Sequence, residues 1–165
     1  MDRLADALDA VNRAVGGAVR WLALAMVIVQ FSVVVLRYVF GVSFVWLDES
    51  VLYLHAALFM LASGYTLLVD GHVRVDVFHA RLSPRRRAAI DAAGHLLFLF
   101  PALTLLLVFS WPTVRNAWAV LEGPISVGGL PASFLLKTLI PLFCVLLLLQ
   151  GTARLLRDLL RIGGR

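Results

Sequence analysis

The residues with chemistry to offer are few: four histidines (His55, His72, His79, His95), one cysteine (Cys144), and an arginine, Arg37, followed closely by Asp48 and Glu49. A bis-histidine haem site needs two histidines at one depth on facing helices. His55 follows Trp46 by about nine residues, or ~13 Å from one membrane face at 1.5 Å per residue. His95 opens the next apolar run from the opposite face, at most about 10 Å deep by the same rise. In a hydrocarbon core ~30 Å thick the two miss each other. The histidines therefore read as packed or interfacial side chains, with a haem-binding, cytochrome-b-like anchor as the weaker alternative. Cys144 lies deep in an apolar run, which disfavours a thiolate, and it has no second cysteine to bridge. There is no Walker-type phosphate loop and no nucleophile–histidine–carboxylate pattern. The chain is expected not to be an enzyme, and to hold no cofactor and no metal.

Arg37, Asp48 and Glu49 carry more information. Arg37 ends one apolar run and the acidic pair opens the next, so a short connection brings them together. A guanidinium bound to a carboxylate lowers the penalty of keeping either near lipid. The acidic pair also suits the positive end of a helix dipole. Gln30, seven residues before Arg37, shares its face. Pairing predicts that Arg37→Ala or Glu49→Ala weakens the protein's assembly and activity more than His55→Ala does.

The elements that position these residues are membrane helices. The chain has 165 residues, of which 61% are hydrophobic and 15% charged; ordinary soluble domains run near 45–50% and about 25%. Four runs are long enough to span a bilayer: about 14–40, 47–69, 88–111 and 133–153. They define one all-α, four-helix transmembrane domain over residues 1–165. Before the first span, Leu4, Leu8, Val11, Val15 and Val19 recur at helical spacing, with Asp2, Asp6, Asp9, Asn12 and Arg13 on other faces. That pattern predicts an N-terminal amphipathic segment lying along the interface. The apolar run from Trp21 to Leu36 lacks an Ala-x-Ala cleavage pattern and reads as a retained helix.

Of the 15 lysines and arginines, Arg37, Arg115 and Lys137 fall on one side of the membrane and the other twelve on the opposite side. The positive-inside rule then puts both termini and the middle loop in the cytoplasm. It also accounts for the net charge of +5 without nucleic acid. Trp46, Trp111 and Trp118 mark the outer boundary and Trp21 the inner one. Ser83-Pro84 reads as N-cap and first helical position of the third helix. Pro101 and Pro141 predict kinks. Residues 122–131, rich in glycine and proline, form the long outer loop. Ala56 with Ser63, and Ala57 with Gly64, put small residues on neighbouring faces of the second helix, where they permit close packing.

The most specific block runs from Arg37 to Ser83: Arg-Tyr-Val-Phe-Gly, then Trp46-Leu-Asp48-Glu49, then a span, then Gly71-His72-Val-Arg-Val-Asp76-Val-Phe. It resembles the small, DctQ-like membrane subunit of tripartite ATP-independent periplasmic (TRAP) transporters. Arg37, Trp46, Asp48, Glu49, Gly71, His72, Val75 and Asp76 match that family's pattern, as do Leu130-Pro131 and Gln150-Gly151. Two departures are mild. The acidic pair is Asp-Glu rather than Glu-Glu, and Ala132 follows Leu-Pro with the aromatic delayed to Phe134.

The resemblance implies a non-catalytic scaffold subunit in a bacterial inner membrane. Its partners would be a large TRAP membrane subunit, a periplasmic solute-binding protein and membrane lipids. The imported solute would be an organic acid in the usual case, driven by a sodium or proton gradient. It also implies that Arg37, Trp46, Asp48, Glu49, Gly71, His72 and Asp76 serve a subunit or lipid interface. The residues agree on one point: acidic groups are missing from the central half of every span, where an ion pathway normally has them. A stand-alone four-span channel or small transporter is the other alternative.

Overall fold

The computed structural model describes residues 2–73 and 82–163. The order of elements is α1 (Asp2–Tyr38), α2 (Val45–Leu68), α3 (Pro84–Gly94), a π-helical turn (His95–Leu99), α4 (Phe100–Ala119) and α5 (Ser133–Ile162). Because α3, the π turn and α4 form one continuous rod, four helices are long and apolar enough to cross a membrane. Each begins at or before its apolar run, and the third and fourth also continue past the end of theirs.

Each boundary has a local cause. Helix α1 stops because Gly41 adopts φ 68°, a left-handed conformation that glycine takes without strain, and Val42 N–H bonds back to Leu36 C=O at 3.0 Å. Helix α2 ends in the same way at Asp70 (φ 60°), where Gly71 N–H bonds Thr66 C=O at 2.9 Å. Aspartate tolerates that region better than most side chains. Ser83 and Pro84 occupy the N-cap and first-turn positions of α3 as their types predict, although the Ser83 hydroxyl makes no capping bond. The expected disturbance at Pro101 takes a specific form. Pro101 has no N–H for the carbonyl four residues back, and the π turn lies immediately before it. Pro141, by contrast, is buried within an uninterrupted α5.

Helix α5 is the hub. It packs against α1, α2, α3 and α4, and the other extensive pairing is α1 with α2. Its buried face runs through Leu139, Cys144, Leu147, Gly151 and Ala153. Leu103 of α4 joins Cys144 and Leu147 at the centre, with Leu67, Leu99 and Phe143 around them. Gly151 allows the π turn to approach, since a Cβ there would press on Leu99. Large apolar side chains such as Phe31, Phe59, Phe98 and Phe109 remain outside, as lipid-facing residues must.

The N-terminal segment differs from the expectation in one respect. It is not set off from the first span but is the opening of a single 37-residue helix, about 55 Å long. The face it buries is mixed: Asp9 and Asn12 go inside together with Ala5, Gly16 and Val19, while Leu4 and Val11 are exposed. The reason is pairing. Asn12 Nδ2 donates to Gln150 Oε1 at 3.1 Å and to Leu146 C=O at 3.3 Å. Gln150 Nε2 donates to Asp9 Oδ1 at 2.9 Å, and Arg157 binds Asp9 at 2.6 Å and Asp6 at 3.0 Å. Gly64 of α2 completes the seat: any side chain there would strike Asn12 Oδ1. The small face expected around Gly64 thus receives a polar side chain.

Removing Asn12 leaves Gln150 Oε1 and the Leu146 carbonyl without their donor, a loss of about 1–3 kcal/mol. Asn12→Leu is expected to lower the thermal midpoint in detergent, and Gly64→Val to lower it further. Leu4→Ala, at an exposed site, should leave it unchanged. Equal midpoints for Asn12→Leu and Leu4→Ala would show that the network contributes nothing.

Candidate functional site

Four of the matched residues, Arg37, Trp46, Asp48 and Glu49, gather where the end of α1 meets the start of α2. Residues 39–44 turn the chain, and Phe44 caps α2 in extended geometry, with its ring 6.0 Å from that of Trp46. This places Asp48 in the first turn of α2, opposite the last turn of α1. Arg37 reaches it through one terminal nitrogen, 2.9 Å and 3.2 Å from the two carboxylate oxygens. Both partners are nearly half exposed, so the pair is a surface latch of modest strength. Gln30 does not join it; it lies exposed in an apolar groove with Met26, Phe31 and Val51.

Glu49 points the other way and is 7% exposed. Its carboxylate accepts the backbone N–H of Ser126 at 3.0 Å and of Leu130 at 2.7 Å. One buried charge thereby fixes the loop 122–131 across this end of the bundle. Gly129 makes this approach possible, because a Cβ on it would overlap the Glu49 carboxylate. The loop is held from its other side too. Ser133 donates to Gly123 C=O at 2.5 Å, and Lys137 binds both oxygens of Glu122 at 2.5 Å and 2.7 Å. Trp118 donates to Thr138 at 2.8 Å and meets the Phe134 ring edge-on at 4.7 Å. Leu121 takes φ 44° and Gly128 φ 80° to turn the chain.

At the opposite end, Arg154 of α5 caps α2. It donates to Leu67 C=O at 2.6 Å and Leu68 C=O at 3.3 Å, and its other nitrogen lies 3.3 Å from Asp70. A cation on the last carbonyls of a helix is favoured by the dipole. Asp70 therefore ties the end of α2 to α5. Gly71 bonds Thr66 as described, His72 is exposed in a bend just after it, and Asp76 lies outside the described residues. The two histidines weighed for haem sit apart in character: His55 stacks on Phe59 at 6.4 Å, and His95 lies 3.9 Å from the buried Asp158. Among the described residues no group of three or more His, Cys, Asp and Glu side chains is arranged for a metal.

Arg37, Trp46, Asp48 and Glu49 thus share one end of the bundle, with Gly71 and His72 at the other. Sequence reasoning missed the partner of Glu49, the Arg154 cap and the Asp9–Asn12–Gln150–Arg157 network. A signal existed for the last: Asp9 and Asn12 are three apart and Gln150 and Arg157 seven apart, so each pair shares a helix face.

Glu49→Ala removes two charge-assisted bonds and is expected to destabilise by about 2–3 kcal/mol. Arg37→Ala should change stability by under about 1 kcal/mol. Protease cleavage within residues 122–131 should accelerate in Glu49→Ala and in Gly129→Leu, and not in Arg37→Ala or His55→Ala. Equal cleavage in all four would remove Glu49 as the clamp.

No curated protein shows significant similarity to the chain. The family described as "Tripartite ATP-independent periplasmic transporters, DctQ component" matches residues 10–161, a stretch that runs from the buried network on α1 through the Glu49 clamp to the Arg157 end of α5. The chain therefore belongs to the DctQ family of TRAP transporter components, as a small multi-pass membrane subunit.

Proposed function

We propose that this subunit is a non-catalytic, rigid support for a large TRAP membrane subunit, and does not itself carry solute or ion. The observation behind this reading is the placement of its polar groups. Every carboxylate lies near a helix end or in a connection, and those described with partners cross-link elements: Glu49 to the outer loop, Asp48 to α1, Asp9 and Asp6 to α5, Asp70 to α5. A cation path through lipid needs such groups, or broken helices, at mid-depth. Here both ends are fastened and the middle is apolar.

In this reading both termini and the loop between α2 and α3 face the cytoplasm of a bacterial cell, where the arginine excess places them. The clamped loop 122–131 then faces the periplasm, on the side from which a solute-binding protein delivers its cargo, an organic acid. Arg37, Trp46, Asp48 and Glu49 serve by shaping that outer surface, while Gly71 and His72 lie at the cytoplasmic end toward the large subunit and lipid, a role the family pattern extends to Asp76.

Affinity purification of the tagged chain from native membranes should bring down a much larger, many-span membrane protein in fixed proportion. Liposomes holding both should take up solute when the binding protein and an ion gradient are supplied, and liposomes holding this chain alone should not. Uptake by the chain alone would establish the channel reading instead; a Soret band lost on His55→Ala or His95→Ala would establish the redox anchor. Reporter fusions at either terminus should be active only as cytoplasmic reporters; a periplasmic signal from either terminus would reverse the topology.

A further inference from the structure

We infer that the groove between the N-terminal half of α1 and the C-terminal half of α2 holds one anionic phospholipid, with its phosphate bound by Arg13 and Arg20. The groove has a volume of about 310 Å³ and is lined by Arg13, Gly17 and Arg20 on α1 and by Leu58, Ala62 and Tyr65 on α2. It exists because small residues meet there. A Cβ on Gly17 would find no atom within 4 Å, whereas Gly16 lets the Tyr65 ring press against α1 and close one end.

Depth gives the groove its meaning. Leu58 lies about 20 Å along α2 from Val45 and Tyr65 about 30 Å, so the groove covers about the 10 Å of a leaflet that adjoins the headgroups. The two helices are antiparallel across a short connection, so Arg20 stands toward the Leu58 end and Arg13 toward the Tyr65 end. Gly16 packs on Tyr65 at the headgroup level, so Arg20, one turn further along α1, starts about 6 Å inside it, where an anion within reach favours an arginine. Helical side chains lean toward the N-terminus. That direction carries the Arg20 guanidinium along the groove toward Arg13, two turns away on the same face.

Neither arginine has a carboxylate within ion-pair distance among the described residues, although Arg37, Arg154, Arg157 and Arg161 each do. Arg20 lies over the Trp21 ring at 5.7 Å. Asp9, one turn from Arg13, is already committed to Gln150 and Arg157. Among the described residues only Asp9 acts on Arg13, and through charge at a distance; an anion seated between the two arginines at the headgroup level is a lipid phosphate, which suits the planar guanidinium fork. The lining contains no carboxylate to receive an ammonium group, so a net-negative headgroup is favoured over a zwitterionic one. Leu58 and Ala62 form the apolar wall for an acyl chain.

This inference rests only on the chain being embedded in a membrane, and its test is separate from copurification with a large subunit. The purified full chain, with any large subunit that accompanies it, is exchanged into mixed micelles of phosphatidylglycerol or phosphatidylcholine, and retained lipids are counted by native mass spectrometry. The expected result is one tightly held phosphatidylglycerol, preferred over phosphatidylcholine by about tenfold or more. Arg13→Gln with Arg20→Gln should abolish the preference. Gly17→Leu should evict the lipid with both charges in place, and Arg85→Gln with Arg86→Gln should change nothing. If the doubly neutralised variant does not stay monodisperse, Gly17→Leu and the wild-type selectivity decide alone. Equal retention of the two lipids, indifference to Gly17→Leu, or full displacement by millimolar inorganic phosphate would overturn the inference. So would a photo-crosslinker at Gly17 that labels the large subunit rather than lipid.

Discussion

Lipid offers a side-chain amide nothing to bond with, and that constraint organises this bundle. Gln150 is wholly buried on α5, and so is Asn12 on α1; each is the other's partner. Around them the chain adds Asp9 and Arg157: Gln150 donates to one oxygen of the Asp9 carboxylate and Arg157 to the other. The pairing fixes which face of α1 meets α5, and Gly64 fixes how near α2 comes. Since α5 also carries the contacts to α3 and α4, this polar junction sets the orientation of the whole bundle. Apolar packing at Leu103, Cys144 and Leu147 then fills what remains.

The two ends are secured by different chemistry. At the end where α1 meets α2 a carboxylate takes backbone amides, so Glu49 orders a loop with little demand on its side chains beyond a glycine at 129. At the opposite end an arginine takes backbone carbonyls, so Arg154 finishes α2 through its main chain. Both devices hold a path through backbone groups. The exposed Arg37–Asp48 pair adds orientation rather than strength.

Much of this was legible in the residues, for reasons that also mark where legibility stopped. Run length and hydropathy reveal membrane helices because the bilayer demands them, and the closeness of Arg37 to Asp48 follows from a short connection. The burial of Asp9 and Asn12 could not be read in the same way. An amphipathic pattern tells a reader that two faces differ; it does not say whether water or another helix receives the polar one. In water the apolar face turns inward, and here Leu4 and Val11 are left outside instead. The partner of Glu49 was hidden because its acceptors' donors are backbone amides of Ser126 and Leu130, which no side-chain spelling announces. Arg154 was counted as one more positive-inside charge, and its cap on α2 depends on how α5 leans.

The π turn at His95–Leu99 has a consequence for the grammar of the third rod. A π turn holds one residue more than the α turn it replaces, and each residue advances a helix by about 100°. The faces of α3 and α4 are therefore out of phase with each other as written in the sequence, though in phase in space. Deleting one residue between His95 and Leu99 would straighten the ladder and swing Ala88 and Ala92 a quarter-turn or more away from α5. The turn works as a phase shifter, and two different stripes of sequence are brought to bear on one neighbour.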